Sequence, residues 1–544
     1  IRDCLLSRGL GDVYKRQLKV LSNYAKNNQL AFCAFFLDIS SAFESVLRGL
    51  VFDQKISDET TAAVFRSLGF KADIFQDFVA VLAAKTAFEE AGVSPDLQKC
   101  IAAAHDATWT AVEGLDTLVV SSFGSRQGDP LGDVIFTYLA CRVLRRCGEV
   151  FASLEMLAVL PDPTSDSVIG PIDRSEACKQ QAVSGISFVD DTMFPFFHKD
   201  PKLVLQWVKR AAPIIIDIFS THSLRLNFKP GKSELVFAFR GTNSRKIDLE
   251  IYGHESPALK VTTRAMGEVK IPVSRIYTHL GCTYCPRLGP KTEVAKSITA
   301  TRGKEIELQG RIFRNKQYNV SSKVLLCKSV LNGTLFWAAQ GWYPIEAGDS
   351  KSVRALYTGY MRKATGFQNT TDNHCSDQYF HERTELPTVR SIILSRKISM
   401  LCRIIKHAPD PLKLSLAVEH SCRQSDGNGR LRGHTMIESL EEALTELHSC
   451  SPKVQSLGDP KVHFTEWNRY ASRYSTELTT VAKQAFYKLP LIVPSEQEEE
   501  IDVERVPCPE CNVMIDIKKL PQHRQIQHGV KNIMRSHISV THCI

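Results

Sequence analysis

Three carboxylates stand at the ends of apolar runs. Asp38 closes AFCAFFLDI (Ala31–Ile39), and Asp190 and Asp191 sit inside GISFVDDTMFPFF (Gly185–Phe197). A carboxylate at a strand terminus suits a hard cation, because Mg²⁺ takes oxygen ligands and keeps part of its shell for substrate phosphates. Two such ions ~3.5–4 Å apart stabilise both the attacking and the leaving oxygen of an in-line phosphoryl displacement. By itself an Asp-Asp pair is most often a turn former, so its meaning depends on its company. A second constellation lies near the C-terminus. Cys508-x2-Cys511-x11-His523-x4-His528 has the ligand spacing of a C2H2 zinc finger, with two thiolates and two imidazoles for a closed tetrahedral Zn²⁺ shell. The alternative is an unrelated Cys-x-x-Cys beside two helix histidines. Arg524, Gln525 and Gln527 could reach nucleic acid from such a finger, and protein contact is equally open.

The company of the carboxylates is specific. FFLDISSAFESV (Phe35–Val46), GSRQGDPLGDVIF (Gly124–Phe136), GISFVDDTMF (Gly185–Phe194), LRLNFKPGKSE (Leu224–Glu234) and YTHLGC (Tyr277–Cys282) occur in that order. They resemble motifs A to E of the reverse transcriptases of non-LTR retrotransposons. Lys291–Trp342 resembles the thumb of that family, and Arg390–Ala408 resembles its downstream helical region. The likeness covers most of residues 18–410.

The resemblance implies roles residue by residue. Asp38 matches the motif A metal ligand, and Asp190 and Asp191 match the motif C pair. Together they imply two Mg²⁺ ions. Phe43 matches the aromatic that packs under the sugar, where its ring would clash with a ribose 2′-hydroxyl and favour deoxynucleotides. Arg126, Gln127 and Gly128 match the motif B loop against the template base and incoming nucleotide. Lys232 matches the motif D lysine, placed to protonate departing pyrophosphate, and Leu280-Gly281 matches the motif E turn that grips the primer. Two positions depart from the family. Glu44 stands where Asp is usual, and Val189 stands where Ala is common.

The implied activity is RNA-directed DNA polymerisation, with an RNA template, a DNA primer and dNTPs as partners. A maturase-type or telomerase-like enzyme is one rival. A truncated copy that at most binds nucleic acid is another, because only 37 residues precede Asp38 and the family's fingers need many more. Action in the nucleus follows from the retrotransposon life cycle, and the oligomeric state is open.

These motifs need elements to position them. The periodicity predicts the end of a helix at Leu18–Leu30, a buried strand at Ala31–Ile39 and a helix at Ser40–Leu50. It predicts a largely helical Asp58–Val112 broken at Gly69, Gly92 and Pro95. A loop follows over Gly124–Asp133, then an apolar helix over Val134–Leu154, and a second loop over Pro161–Arg174. Two strands should flank an Asp190-Asp191 turn. An amphipathic helix should span Pro201–Phe219, and strand should run through Leu224–Phe239 around a polar turn, with another strand in Lys270–Cys282. Helices should dominate from Lys291 to His407, and again over Ile437–Leu447 and Val462–Lys488. The expected fold class is α+β: an antiparallel palm sheet backed by helices, with a helical thumb. The expected domains are 18–285 palm, 286–421 thumb and connector, 422–494 helical, 495–505 acidic linker and 506–530 zinc finger. Residues 1–17 are set aside, because Asp12–Gln17 (DVYKRQ) resembles the translation of a transposase-end sequencing adaptor.

Composition fits this reading. The 544 residues are 43% hydrophobic and 23% charged, a globular balance. No apolar run approaches the ~18 residues of a membrane span. The 16 cysteines are scattered rather than framed, which suits a reducing intracellular compartment. The net charge is +9, and Lys291–Lys328 holds nine basic residues against Glu293, Glu305 and Glu307. Such a run is either a solvated helix face or a polyanion surface. Two further clusters, His279 with Cys282-x2-Cys285 and His374 with Cys375 and His381, lack a second pair at finger spacing.

Overall fold

A computed structural model describes residues 10–52, 57–106, 108–110, 117, 119–121, 124–125, 129–161, 182–286, 290–343, 345–367, 376–408, 410–424, 435–487, 505–508, 511 and 514–516. Two compact units divide at residue 488. The strands are β1 (Ala31–Leu37), β2 (Thr108–Thr110), β3 (Val119–Ser121), β4 (Ala158–Val159), β5 (Ala182–Val183), β6 (Ile186–Phe188), β7 (Asp191–His198), β8 (Glu234–Ala238), β9 (Ala258–Thr263), β10 (Gly267–Pro272), β11 (Tyr277–His279) and β12 (Cys282–Tyr284). In the second unit, β13 (Arg505–Pro507) pairs with β14 (Met514–Asp516). The architecture mixes helices with small antiparallel sheets and is α+β.

The main sheet has the order β6-β7-β1-β8, antiparallel throughout. All seven residues of β1 are buried. A strand's side chains alternate between faces, and here both faces are covered. Ala31, Cys33, Phe35 and Leu37 join one core with the helices Pro130–Ser153 and Pro201–Thr221. Phe32, Ala34 and Phe36 join another with Leu18, Leu21 and Ala25 of the helix Leu10–Asn27, and with Leu414 and Val418 of the helix Asp410–Gln424. That is why this strand reads as an unbroken apolar run instead of an alternating one. The two long covering helices start on sequence signals. Asp129 and Asp200 cap them, each followed by Pro at the first position, where its missing N–H costs nothing.

Among the described residues, the chain from 290 to 487 is helical. Val294, Leu335, Trp342, Tyr357 and Phe380 centre one core, and Leu401, Leu416, Leu444 and Trp467 centre another. The helix Val389–His407 contributes to both, and residues on either side of position 421 share the second. No helix among the described residues is long and apolar enough to cross a membrane.

Several expected elements differ. Ser40–Leu50 is not a helix. It is a run of turns ending in a short 3₁₀ segment, Arg48–Leu50. Its backbone groups are spent elsewhere: Ser40 N donates to Arg225 O, and Phe43 O and Val46 O accept from Ser125 N and Gly124 N. Ser41 also sits at φ +49, outside the helical region. The first half of Leu224–Phe239 makes only one bridge, Ile39 to Leu226, so the strand starts at Glu234. The segment read as helical up to Val112 ends in strand at Thr108. The tight turn is Val189-Asp190, and Asp191 is already strand. The loop expected at Pro161–Arg174 and the acidic linker lie largely outside the described residues. The helix Leu10–Asn27 runs across the boundary set at residue 17.

One packing detail sets a pH response. Glu419 is buried and accepts from Met436 N at 3.2 Å, at the start of the helix Met436–Cys450. Burial, helped by the charge of Glu438 and opposed by that backbone bond, pushes its carboxyl up to about 8. The unfolded chain ionises near 4.5, so stability falls as pH rises from there to about 8 and is level outside that window. Glu419→Gln keeps a polar group and removes the charge. The variant should match wild type near pH 4 and exceed it by on the order of 1–3 kcal/mol at pH 8, read from denaturation midpoints across that range.

Candidate active site

Leu37 of β1 pairs with Thr192 of β7, and there the ladder ends, with Asp38 the residue after Leu37 and Asp191 the residue before Thr192. Asp190 stands in the turn and is exposed. Of the three aspartates, Asp38 and Asp191 adjoin the last ladder pair and Asp190 stands at the tip of the turn. The tip is strained. Val189 has φ +58, a region costly for a β-branched residue, and Ser187 Oγ holds its carbonyl at 3.0 Å. Among the described residues no three His, Cys, Asp or Glu side chains form a group able to hold a metal ion.

Asp38 is fixed by its neighbours. Its N–H donates to Ser233 Oγ at 2.9 Å, and its carbonyl accepts from Asn227 N at 2.9 Å. Its carboxylate, 30% exposed, accepts from Asn227 Nδ2 at 3.3 Å and pairs with Lys232 Nζ at 3.1 Å. The Lys232 loop is closed by Lys232 N on Lys229 O and by Ser233 N on Asn227 O. Gly231 N donates to the buried Glu234 carboxylate. Tyr277 completes the ring, with its hydroxyl donating to Lys232 O at 2.6 Å. Burial first, then the charges of Asp191, Asp38 and Glu234, holds this phenol well above its ordinary range, so it stays protonated. Sequence reading had singled out Lys232 but not Asn227, Ser233, Glu234 or Tyr277. All four lie inside or beside the quoted motifs, the one signal that marks them.

Phe43 lies in the core, 8% exposed, with its ring 5.2 Å from Phe136. Gly124 and Ser125 dock on the same loop. Gly124 N donates to Val46 O and Ser125 N to Phe43 O, both at 2.7 Å. Gly124 has φ +81, and a Cβ there would come 2.8 Å from Glu44 O. The buried Arg48 Nε donates to Gly124 O at 2.9 Å and seals the junction. Arg126, Gln127 and Gly128 lie outside the described residues.

Leu280 and Gly281, at φ +49 and +74, form the two-residue turn of the β11–β12 hairpin. Two left-handed residues match the twist of a tight hairpin. Beside it runs a groove of about 560 Å³ lined by Gly281, Lys296, Lys304, Ser329, Gly333 and Trp337, the last 53% exposed. Lys296 Nζ donates to Thr278 Oγ1 at 3.2 Å, and Lys304 Nζ to Thr334 Oγ1 at 2.9 Å.

In the second unit, β13 and β14 pair Pro507 with Met514, which puts Cys508 and Cys511 in the connecting loop. Cys508 is buried and Cys511 exposed. His523 and His528 lie outside the described residues, as do His374 and Cys375. His381 is occupied in packing: its Nδ1 meets Leu386 O at 3.0 Å and its ring stacks on Tyr357.

No protein-family model matches the chain, and no curated protein matches it.

The Gly124 contact is testable on stability alone. Gly124→Ala combines a disfavoured φ with a backbone clash. It should destabilise the fold by about 2 kcal/mol or more, seen as a lowered thermal midpoint. An unchanged midpoint would remove the docking of residues 124–125 on the Phe43 loop.

Proposed function

We propose that this chain is the core of a retrotransposon-type RNA-directed DNA polymerase that adds dNTPs to a DNA primer on an RNA template. What supports the reading is that Asp38 and Asp191 adjoin the last ladder pair, Leu37 with Thr192, in a chain holding five motif-like segments in order. Mg²⁺ suits the donor types, because Asp38, 30% exposed, and the exposed Asp190 carry hard oxygen ligands. When bound by Asp38 with Asp191 or Asp190, it would supply charge stabilisation for phosphoryl transfer. Lys232, already beside Asp38, delivers a proton to departing pyrophosphate. Phe43 rejects a 2′-hydroxyl by packing rather than by hydrogen bonding. The groove beside β11–β12 suits a nucleic-acid strand. Lys296 and Lys304 meet phosphates, the small residues Gly281 and Gly333 leave room, and the exposed face of Trp337 offers a stacking surface.

The second unit is read as a zinc finger held by Cys508, Cys511, His523 and His528. A hairpin with Cys-x-x-Cys in its loop supports this reading. Zn²⁺ there is structural, and the residues it gathers fold around it.

Primer extension on an RNA template tests the polymerase reading. Wild type should incorporate dNTPs and lose activity as salt rises, because phosphate contacts release counterions. Asp38→Asn should reduce incorporation to background while template–primer binding persists. Phe43→Ala should retain dNTP incorporation and admit rNTPs. Wild-type rates in Asp38→Asn would sink the mechanism, and an unchanged sugar preference in Phe43→Ala would displace the motif A alignment.

Metal analysis tests the finger. The chain should carry one equivalent of zinc, and Cys508→Ser should lose it. A chelator should abolish the far-ultraviolet signal of a peptide covering residues 506–529. An unaltered spectrum after chelation would remove the assignment.

A further inference from the structure

Lys232 is tethered at both of its ends. Its ammonium lies 3.1 Å from Asp38 Oδ1, and its carbonyl receives the Tyr277 hydroxyl at 2.6 Å. The ammonium end is 51% exposed and competes with water, whereas Tyr277 is buried. The Tyr277 ring stacks on Phe36 with centroids 4.1 Å apart and planes 16° apart. Phe36 lies two residues before Asp38, next to the end of β1. The phenol therefore reads the position of the strand that carries the carboxylate and transmits it to the loop that carries the amine. Tyr277 also opens the β11–β12 hairpin, whose turn packs toward Trp337 of the groove.

We infer that Tyr277 is a positioning residue that sets the reach of Lys232 to the carboxylate site and links that loop to the hairpin bordering the groove. The contact is a feature of the fold. Its meaning for proton delivery rests on the polymerase reading. A stacked ring that merely filled space would need no hydroxyl, and Phe36 already supplies the apolar partner. The hydroxyl is spent on one main-chain oxygen, the carbonyl of the residue whose side chain must move between Asp38 and a leaving group.

The test compares full-length wild type, Tyr277→Phe and Gly281→Val. Each is pulsed with an amine-acetylating reagent, and peptide mass spectrometry reads Lys232 against the exposed Lys260 of β9. Tyr277→Phe keeps the stack and deletes the donor. Lys232 labelling should rise about fivefold relative to Lys260, the factor for losing one neutral hydrogen bond. Amide exchange at Lys232 and Ser233 should accelerate while the β1 amides keep their protection. Gly281→Val strains the turn without touching the hydroxyl, so it should loosen the hairpin and raise Lys232 labelling as well. If Tyr277→Phe labels Lys232 at the wild-type rate, the inference is overturned. It is equally overturned if the hairpin opens in Gly281→Val and Lys232 stays slow. Labelling uses neither primer nor dNTP, so a failed extension assay leaves this result standing on its own. Where extension is measurable, Tyr277→Phe should lower kcat with little change in KM for dNTP. A lowered kcat without altered Lys232 labelling would also overturn the inference.

Discussion

A strand buried on both faces is the constraint from which the larger unit follows. Each buried Phe side chain of β1 contributes on the order of 1.5–3 kcal/mol only if something apolar covers it. Two coverings are needed, and the chain provides them from distant places. Helices at 130–153 and 201–221 cover one face, and helices at 10–27 and 410–424 cover the other. The second covering draws the C-terminal helices onto the sheet, because the helix at 10–27 also gives Val20 to the C-terminal core. A single seven-residue strand thereby ties together segments almost 400 residues apart.

The polar layer at the end of that strand follows a different logic. An exposed ion pair such as Lys232 with Asp38 is worth about 0–1 kcal/mol and does not by itself hold a loop. The loop is held instead by main-chain contacts with buried partners: Ser233 on the Asp38 backbone, Tyr277 on the Lys232 carbonyl, and Gly231 on Glu234. The placing is done by hydrogen bonds other than the Lys232–Asp38 ion pair. The acidic surroundings also act on Tyr277, since an ionised phenol beside three carboxylates would be costly.

Reading the sequence found β1, most of the helix at 130–153, the helix at 201–221 and the helical nature of the chain from 291 to 407, because long periodic or unbroken apolar patterns report burial directly. It misplaced structure where backbone groups are claimed by distant partners. Residues 40–50 carry a helical pattern, yet Arg225, Gly124 and Ser125 take up the main-chain groups a helix would need. It placed the turn one residue late because Asp-Asp looks like turn chemistry, whereas Val189 accepts the left-handed conformation instead. Of the candidate site, the charged residues were visible as types at motif spacing. Their neutral supports were not, because Ser233, Asn227 and Tyr277 matter through the atoms they face, which one-dimensional spacing does not encode.

A strand apolar on both faces also lacks something. Alternating polar and apolar residues normally fix pairing, since a slip by one position would turn greasy side chains toward water. AFCAFFL carries no such penalty, so its hydrophobic pattern cannot tell one alignment from the next. The alignment information must sit at the ends. At one end Arg240 Nη1 holds Leu30 O at 3.2 Å, and at the other Ser233 Oγ receives Asp38 N. A one-residue deletion within this strand would leave its oiliness intact while bringing Ile39 into the place Asp38 now holds after the ladder. The segment is thus intolerant of any change in length.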